Sequence, residues 1–217
     1  MLTIRQLNEN SFRAGSIAAG IAWICGIGSA IVAAGLNIQP TETVATSQQI
    51  LAMARDHTST LLRFMALDTI FVIGYVTVFA ATFLAIPKED RLIGGIGLGA
   101  GILAGLADMT ENALYVIYAL AARNGNTELT PWLPFHYLAT GVKWMAAFAA
   151  IGMLLLVFPR RTILERAIVV VMATFPLLGA VSIAWPALAP LRAIFFVVGL
   201  PLLAVYFRRR ANEVSSA

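Results

Sequence analysis

Charge is what this chain has least of. Asp, Glu, Lys and Arg make up 12% of its 217 residues, against about 25% in a soluble domain. The deficit recurs in block after block, so residues 1–217 read as one membrane domain with no separate soluble part. Cysteine is scarcer still. Cys25 stands alone, mid-way along an apolar run, which excludes an intrachain disulfide and a cysteine-based zinc site. His57 and His136 do not form the tight group of three or four ligands that zinc takes, so no metal is expected. No Ser-His-Asp arrangement is evident, which disfavours covalent catalysis.

What is present is apolar. Hydrophobic residues account for 59% of the chain, and mean hydropathy is +0.83. The net charge of +4 suggests a nucleic-acid partner at first sight. The distribution excludes that reading, because multi-pass proteins concentrate Lys and Arg in their cytoplasmic loops. The N-terminal apolar run, Ala14 to about Ile38, exceeds the roughly 7–15 residues of a signal-peptide core and is read as a retained span.

The expected fold is an all-α integral membrane bundle of six spans, at about 14–37, 61–86, 92–120, 135–158, 164–185 and 188–207. The breaks have physical causes: Pro87 with Lys88–Arg91, Asn124–Asn126 with Pro131 and Pro134, Pro159 with Arg160 and Arg161, then Pro186 and Pro190. Six spans put Arg5, Arg13, Lys88, Arg91, Arg160, Arg161, Arg166 and Arg208–Arg210 on one side. Only Arg55, Arg63, Arg123 and Arg192 fall on the other. Both termini are therefore expected in the cytoplasm, with the bundle in the inner (plasma) membrane. Arg208–Arg210 end the last span as anchors. Residues 38–60 form an outer segment that is amphipathic from Ser47, with Ile50, Met53, Ala54, His57 and Leu61 at helical spacing. It either runs on into the second span or gives way to a new helix capped by Thr58, Ser59 or Thr60.

Four ionisable residues interrupt these spans: Asp68, Asp108, Glu111 and Lys143. Each costs roughly 2.5–3.5 kcal/mol at the centre of a spanning helix unless it faces protein or water. At about 1.5 Å per helical residue, all four fall in the outer half of a core ~30 Å thick. Helical faces agree. A continuous helix would align His57, Asp68 and Tyr75; Asp108 and Asn112 continue the stripe of Gly97, Gly101 and Gly105, flanked by Glu111 and Tyr115; His136, Thr140 and Lys143 share a face beside Trp144. Three carboxyls facing one ammonium are expected to hold at least one proton among them. The bland alternative is a set of helix-register contacts, Asp108 or Glu111 with Lys143 and Asp68 with Asn112. Gly95-x-Gly97-x-x-Ala100 matches a dinucleotide-binding pattern, but no strand precedes it, so helix packing explains it.

The expectation is an enzyme performing acid–base chemistry of isomerase, cyclase or hydrolase type on an apolar or lipid-like molecule. Asp68, Asp108, Glu111 and Lys143 are its catalytic candidates; Tyr75, Asn112, Tyr115, His136 and Trp144 would bind substrate. A proton-coupled transporter and a non-catalytic membrane assembly partner are the competing classes. Membrane lipid is the expected surrounding, and a homo-oligomer stays open. No cofactor follows from the residues themselves. Ala54-Arg55-Asp56-His57-Thr58, Leu92-Ile93-Gly94 and Asp108…Asn112…Tyr115 resemble, over a short part of the chain, the styrene oxide isomerases. Those are small helical membrane enzymes that rearrange epoxides to aldehydes on haem b. The resemblance implies His57 as axial haem ligand, with Asn112 and Tyr115 in the pocket. This chain differs in having six spans for that family's four and Arg63 in place of a pocket Asn.

Overall fold

Backbone polar groups have no water to bond in lipid, so long apolar runs coil into helices that satisfy them internally. The computed structural model describes residues 4–34, 36, 46–125, 130–185, 188, 191 and 193–216. These form α1 (Ile4–Ala33), α2 (Ser47–Asp56), α3 (Thr58–Ala85), α4 (Arg91–Arg123), α5 (Leu133–Val157), α6 (Ile163–Ala184), a π-helical turn (Phe195–Gly199) and α7 (Leu200–Ser216). No strand occurs among the described residues. Five helical stretches there are long and apolar enough to cross a membrane: Arg5–Ala33, Thr58–Ala85, Lys88–Arg123, Leu133–Val157 and Ile163–Ser182. The sixth expected span, 188–207, begins partly outside the described residues.

Local chemistry sets the boundaries. Thr46 and Gln49 cap α2 reciprocally, the Thr46 hydroxyl accepting from the Gln49 amide and the Gln49 side chain from the Thr46 amide. Thr162 and Glu165 do the same for α6, which accounts for the burial of Glu165. Pro87 separates α3 from α4, and Gly125 takes the left-handed φ of 72° that terminates α4.

Of the two courses left open for the outer segment, the chain takes the second: α2 and α3 are separate helices that meet at His57, where Thr58 donates its hydroxyl to the Ala54 carbonyl. Two boundaries differ from the sequence reading. Helix α1 begins at Ile4, ten residues earlier than expected, because its polar first turns have partners. Arg5 donates to the Val214 and Ser215 carbonyls, and Arg13 pairs with Glu9 at 2.6 Å. Arg208–Arg210 do not end the last helix, which runs on to Ser216.

The helices form a closed ring: α1 packs on α3, α3 on α4, α4 on α5, α5 on α6, α6 on α7, and α7 returns to α1. Ile17, Ile24 and Ile31 of α1 are 64%, 64% and 71% exposed while Ala18, Ala19 and Ala22 are buried. Large apolar residues outside and small ones at helix contacts are the arrangement of a bundle solvated by lipid. Helix α2 packs Ile50, Leu51 and Ala54 over Leu61 and Met65 of α3 and Leu114, Tyr115 and Tyr118 of α4, so it covers one end of the bundle.

Candidate functional site

The site begins with glycines. A methyl group added at Gly101 would overlap the Phe79 ring, at Gly105 the Val76 side chain, and at Gly97 it would press on Leu154 and the Ala150 carbonyl. The missing side chains let α4 approach α3 on one flank and α5 on the other. One turn beyond Gly105 the same face of α4 turns polar, and the short interhelical distance brings its side chains within reach of both neighbours.

Two connected sets of polar contacts result. The Tyr75 hydroxyl donates to Asp108 Oδ2 at 3.0 Å, and Lys143 Nζ lies 3.4 Å from Asp108 Oδ1. Lys143 also donates to Glu111 Oε2, and the Thr140 hydroxyl to Glu111 Oε1. Beside these, Asn112 Nδ2 donates to Asp68 Oδ2 at 2.9 Å. Asp108, Glu111 and Asn112 are buried. Asp68 is half-buried, and among the described residues no basic side chain forms an ion pair with it.

These groups border a cavity of about 210 Å³ between the helices. Asp68, Tyr75, Asp108, Glu111, Asn112, Tyr115, Lys143 and Trp144 all border it. Its other walls are apolar, with Phe79 and Val78 of α3, Ile151 and Leu154 of α5, Phe175 of α6, and Leu200 and Leu203 of α7, except for Thr82, whose hydroxyl is taken up by the Val78 carbonyl. The result is a space with one polar cluster and largely apolar walls. Among the described residues no group of three or more His, Cys, Asp or Glu side chains is arranged to hold a metal ion.

Eight of the sequence-named residues thus share one cavity, and the two histidines do not border it. His136 is fully buried behind the wall, against the rings of Tyr115, Tyr118 and Tyr137 at 5.0, 5.7 and 5.7 Å. It packs against Tyr115, which itself borders the cavity. His57 is exposed at the α2–α3 junction, where its backbone amide bonds to the Met53 carbonyl and its carbonyl to the Leu61 amide. His57 does not border the cavity that Asn112 and Tyr115 line, so these three residues do not together fit a haem pocket.

Sequence reasoning gave Thr140 a place on the Lys143 face but no role, although its hydroxyl holds Glu111. It missed the aromatic wall. Phe71 lies three residues after Asp68 and four before Tyr75, a helical spacing that places it on their face. Phe195 and Phe196 carried no such signal, because both reach the cavity only through the wider π-helical turn. No protein-family model matches this chain, and no curated protein or solved structure is significantly similar to it.

Proposed function

We propose that the protein is a multi-pass membrane enzyme that uses acid–base chemistry on an apolar or lipid-like small molecule, of isomerase, cyclase or hydrolase type. The observation that carries this reading is a single cavity bordered by three carboxyls, one ammonium and two phenols, with largely aliphatic and aromatic walls elsewhere. A set of helix-register contacts needs paired charges but no cavity beside them.

The contacts distribute the roles. Both oxygens of Glu111 are engaged, by Thr140 and Lys143, and both of Asp108, by Tyr75 and Lys143. Those two carboxyls hold Lys143 and Tyr75 in place. Asp68, with one hydrogen bond from Asn112, keeps lone pairs for a substrate and serves as the base. A proton taken by Asp68 from one substrate atom is matched by one delivered from Lys143 or Tyr75 to another. The donor recovers its proton from Asp68 through solvent or product, so an isomerisation leaves atoms and charge unchanged. Lys143 also stabilises an oxyanion formed on the way.

The bundle is proposed to sit in the inner membrane with both termini in the cytoplasm. The basic-residue asymmetry supports this orientation, as does the Arg5–Val214 contact that places the two ends of the described chain together. The functional test uses purified protein in lipid nanodiscs, incubated with a total membrane lipid extract and followed by untargeted mass spectrometry. The wild type should deplete at least one apolar component, and Asp68→Asn should slow that depletion by about 10²–10⁴-fold, the usual worth of a positioned base. Equal conversion by folded Asp68→Asn and Lys143→Met proteins would sink the proposal.

A further inference from the structure

A second cavity, of about 560 Å³, lies on the outside of the first, between α1, α3 and the π-helical turn. The two share Phe64, Asp68, Phe71 and Phe196 as common walls. Asp68 therefore stands on the threshold between them. The aromatic residues around it are in register: Phe64 and Phe71 lie one turn before and one turn after it on α3, and Phe71 meets Phe196 edge to face at 5.1 Å. Trp23 of α1 donates its indole N–H to the Val197 carbonyl at 3.0 Å, tying the turn that carries Phe196 to α1.

Two further observations point to a ligand. Ser29 borders the outer cavity, is 5% exposed, and its hydroxyl has no hydrogen-bond partner among the described residues. Lys143, which borders the inner cavity, is ion-paired with Glu111 and Asp108, and among the described residues no cation forms an ion pair with the carboxyl at the threshold. A carboxylate set among aromatic faces suits an organic cation, which gains both Coulomb attraction and ring-quadrupole attraction. An anion at the threshold would meet the Asp68 carboxyl.

We infer that the Asp68 threshold binds the head of a cationic amphiphile, an alkylamine or alkylammonium. Its chain reaches from the bilayer through the groove between α1 and the Phe195–Gly199 turn, past Ser29. The inference names the substrate class of the proposed enzyme and rests on that reading for its catalytic meaning. The binding itself stands on the two cavities and Asp68. Among the described residues Asp68 has no ion pair for the head to displace. The Phe71–Phe196 contact is the partition that the chain must part to pass from the outer cavity to the inner one.

The test is direct binding of radiolabelled octyltrimethylammonium to the full chain in nanodiscs, with octanoate and octanol as same-length anionic and neutral competitors. Saturable binding of the ammonium is expected, with competition by octanoate and octanol at least tenfold weaker than by unlabelled ammonium. Asp68→Asn should weaken it about tenfold or more while leaving the thermal melting point within a few degrees. A second variant guards against a simple folding effect. Ala30 is exposed on the rim of the outer cavity, so Ala30→Trp leaves Asp68 in place, obstructs the groove, and should slow association about tenfold. Unchanged affinity in folded Asp68→Asn, unchanged association in Ala30→Trp, or equal competition by octanoate or octanol would each overturn the inference. If the ammonium fails to bind while Asp68-dependent conversion of a lipid extract persists, the inference falls and the enzyme stands. If it binds as expected and the wild type converts nothing, the enzyme falls and the binding site stands.

Discussion

The two halves of α4 hold their neighbours by opposite means. From Gly94 to Gly105 glycines recur along the contact face, and Phe79, Val76 and Leu154 lie where their side chains would be. From Asp108 to Tyr115 the same face is crowded with polar side chains that bond to α3 and α5. The first half contributes close dispersion contact, which is weak per atom pair and depends steeply on distance. The second contributes directed bonds whose geometry depends on how closely the first half lets the helices approach. Gly105 shows the dependence locally: its α-carbon faces Val76 and the Tyr75 ring, whose hydroxyl bonds Asp108 one turn further on.

Four substitutions separate the halves, in decreasing order of effect. Lys143→Met should cost about 3–5 kcal/mol, because it leaves Glu111 and Asp108 buried without their cation. Adding Glu111→Gln should recover part of that loss, and denaturant titration in micelles reads both. Gly101→Val should cost about 1–3 kcal/mol by overpacking against Phe79, seen as a lower melting temperature. Thr140→Val removes one of the donors that hold Glu111, and about 1.5 kcal/mol is expected. In the same unfolding assay Tyr75→Phe should cost about 0.5–1 kcal/mol, since its hydroxyl borders a cavity that admits a replacement water. The comparison sharpens in the double variant Gly105→Ala with Tyr75→Phe. A coupling of about 0.5 kcal/mol or more means that the glycine half positions the polar half. Strict additivity means that the two act independently.

The polar constellation was legible because helical period is a strong signal wherever apolar background is nearly uniform. Asp108 and Asn112 differ by four residues, Thr140 and Lys143 by three, and both pairs meet partners on the faces that this spacing implies. The same spacing aligned His57 with Asp68 only on condition of an unbroken helix, and the chain breaks at that point. His136 shares a stripe with Lys143 but lies two turns nearer the helix start, where it packs among tyrosines. The early start of α1 was hidden for another reason. Its polar first turns are held by the far end of the chain, through Arg5 to Val214 and Ser215, and no local pattern records so distant a partner. The outer cavity is likewise a product of three elements meeting, α1, α3 and the π-helical turn, and none of them alone announces it.

The contact between α1 and α7 has a consequence for how the protein is made. Helices emerge from synthesis in chain order, yet the ring joins the first to the last. Until α7 arrives, α1 to α6 form an open arc, and the inner cavity lacks the wall that Leu200 and Leu203 supply. The order of arrival also matters inside the arc. Asp108 and Glu111 enter the bilayer on α4 ahead of Lys143 on α5, so α4 is an awkward guest in lipid until the next helix brings its cation. The insertion machinery therefore has reason to retain α4 and release it together with α5, as a pair already neutralised by their shared ion bridge.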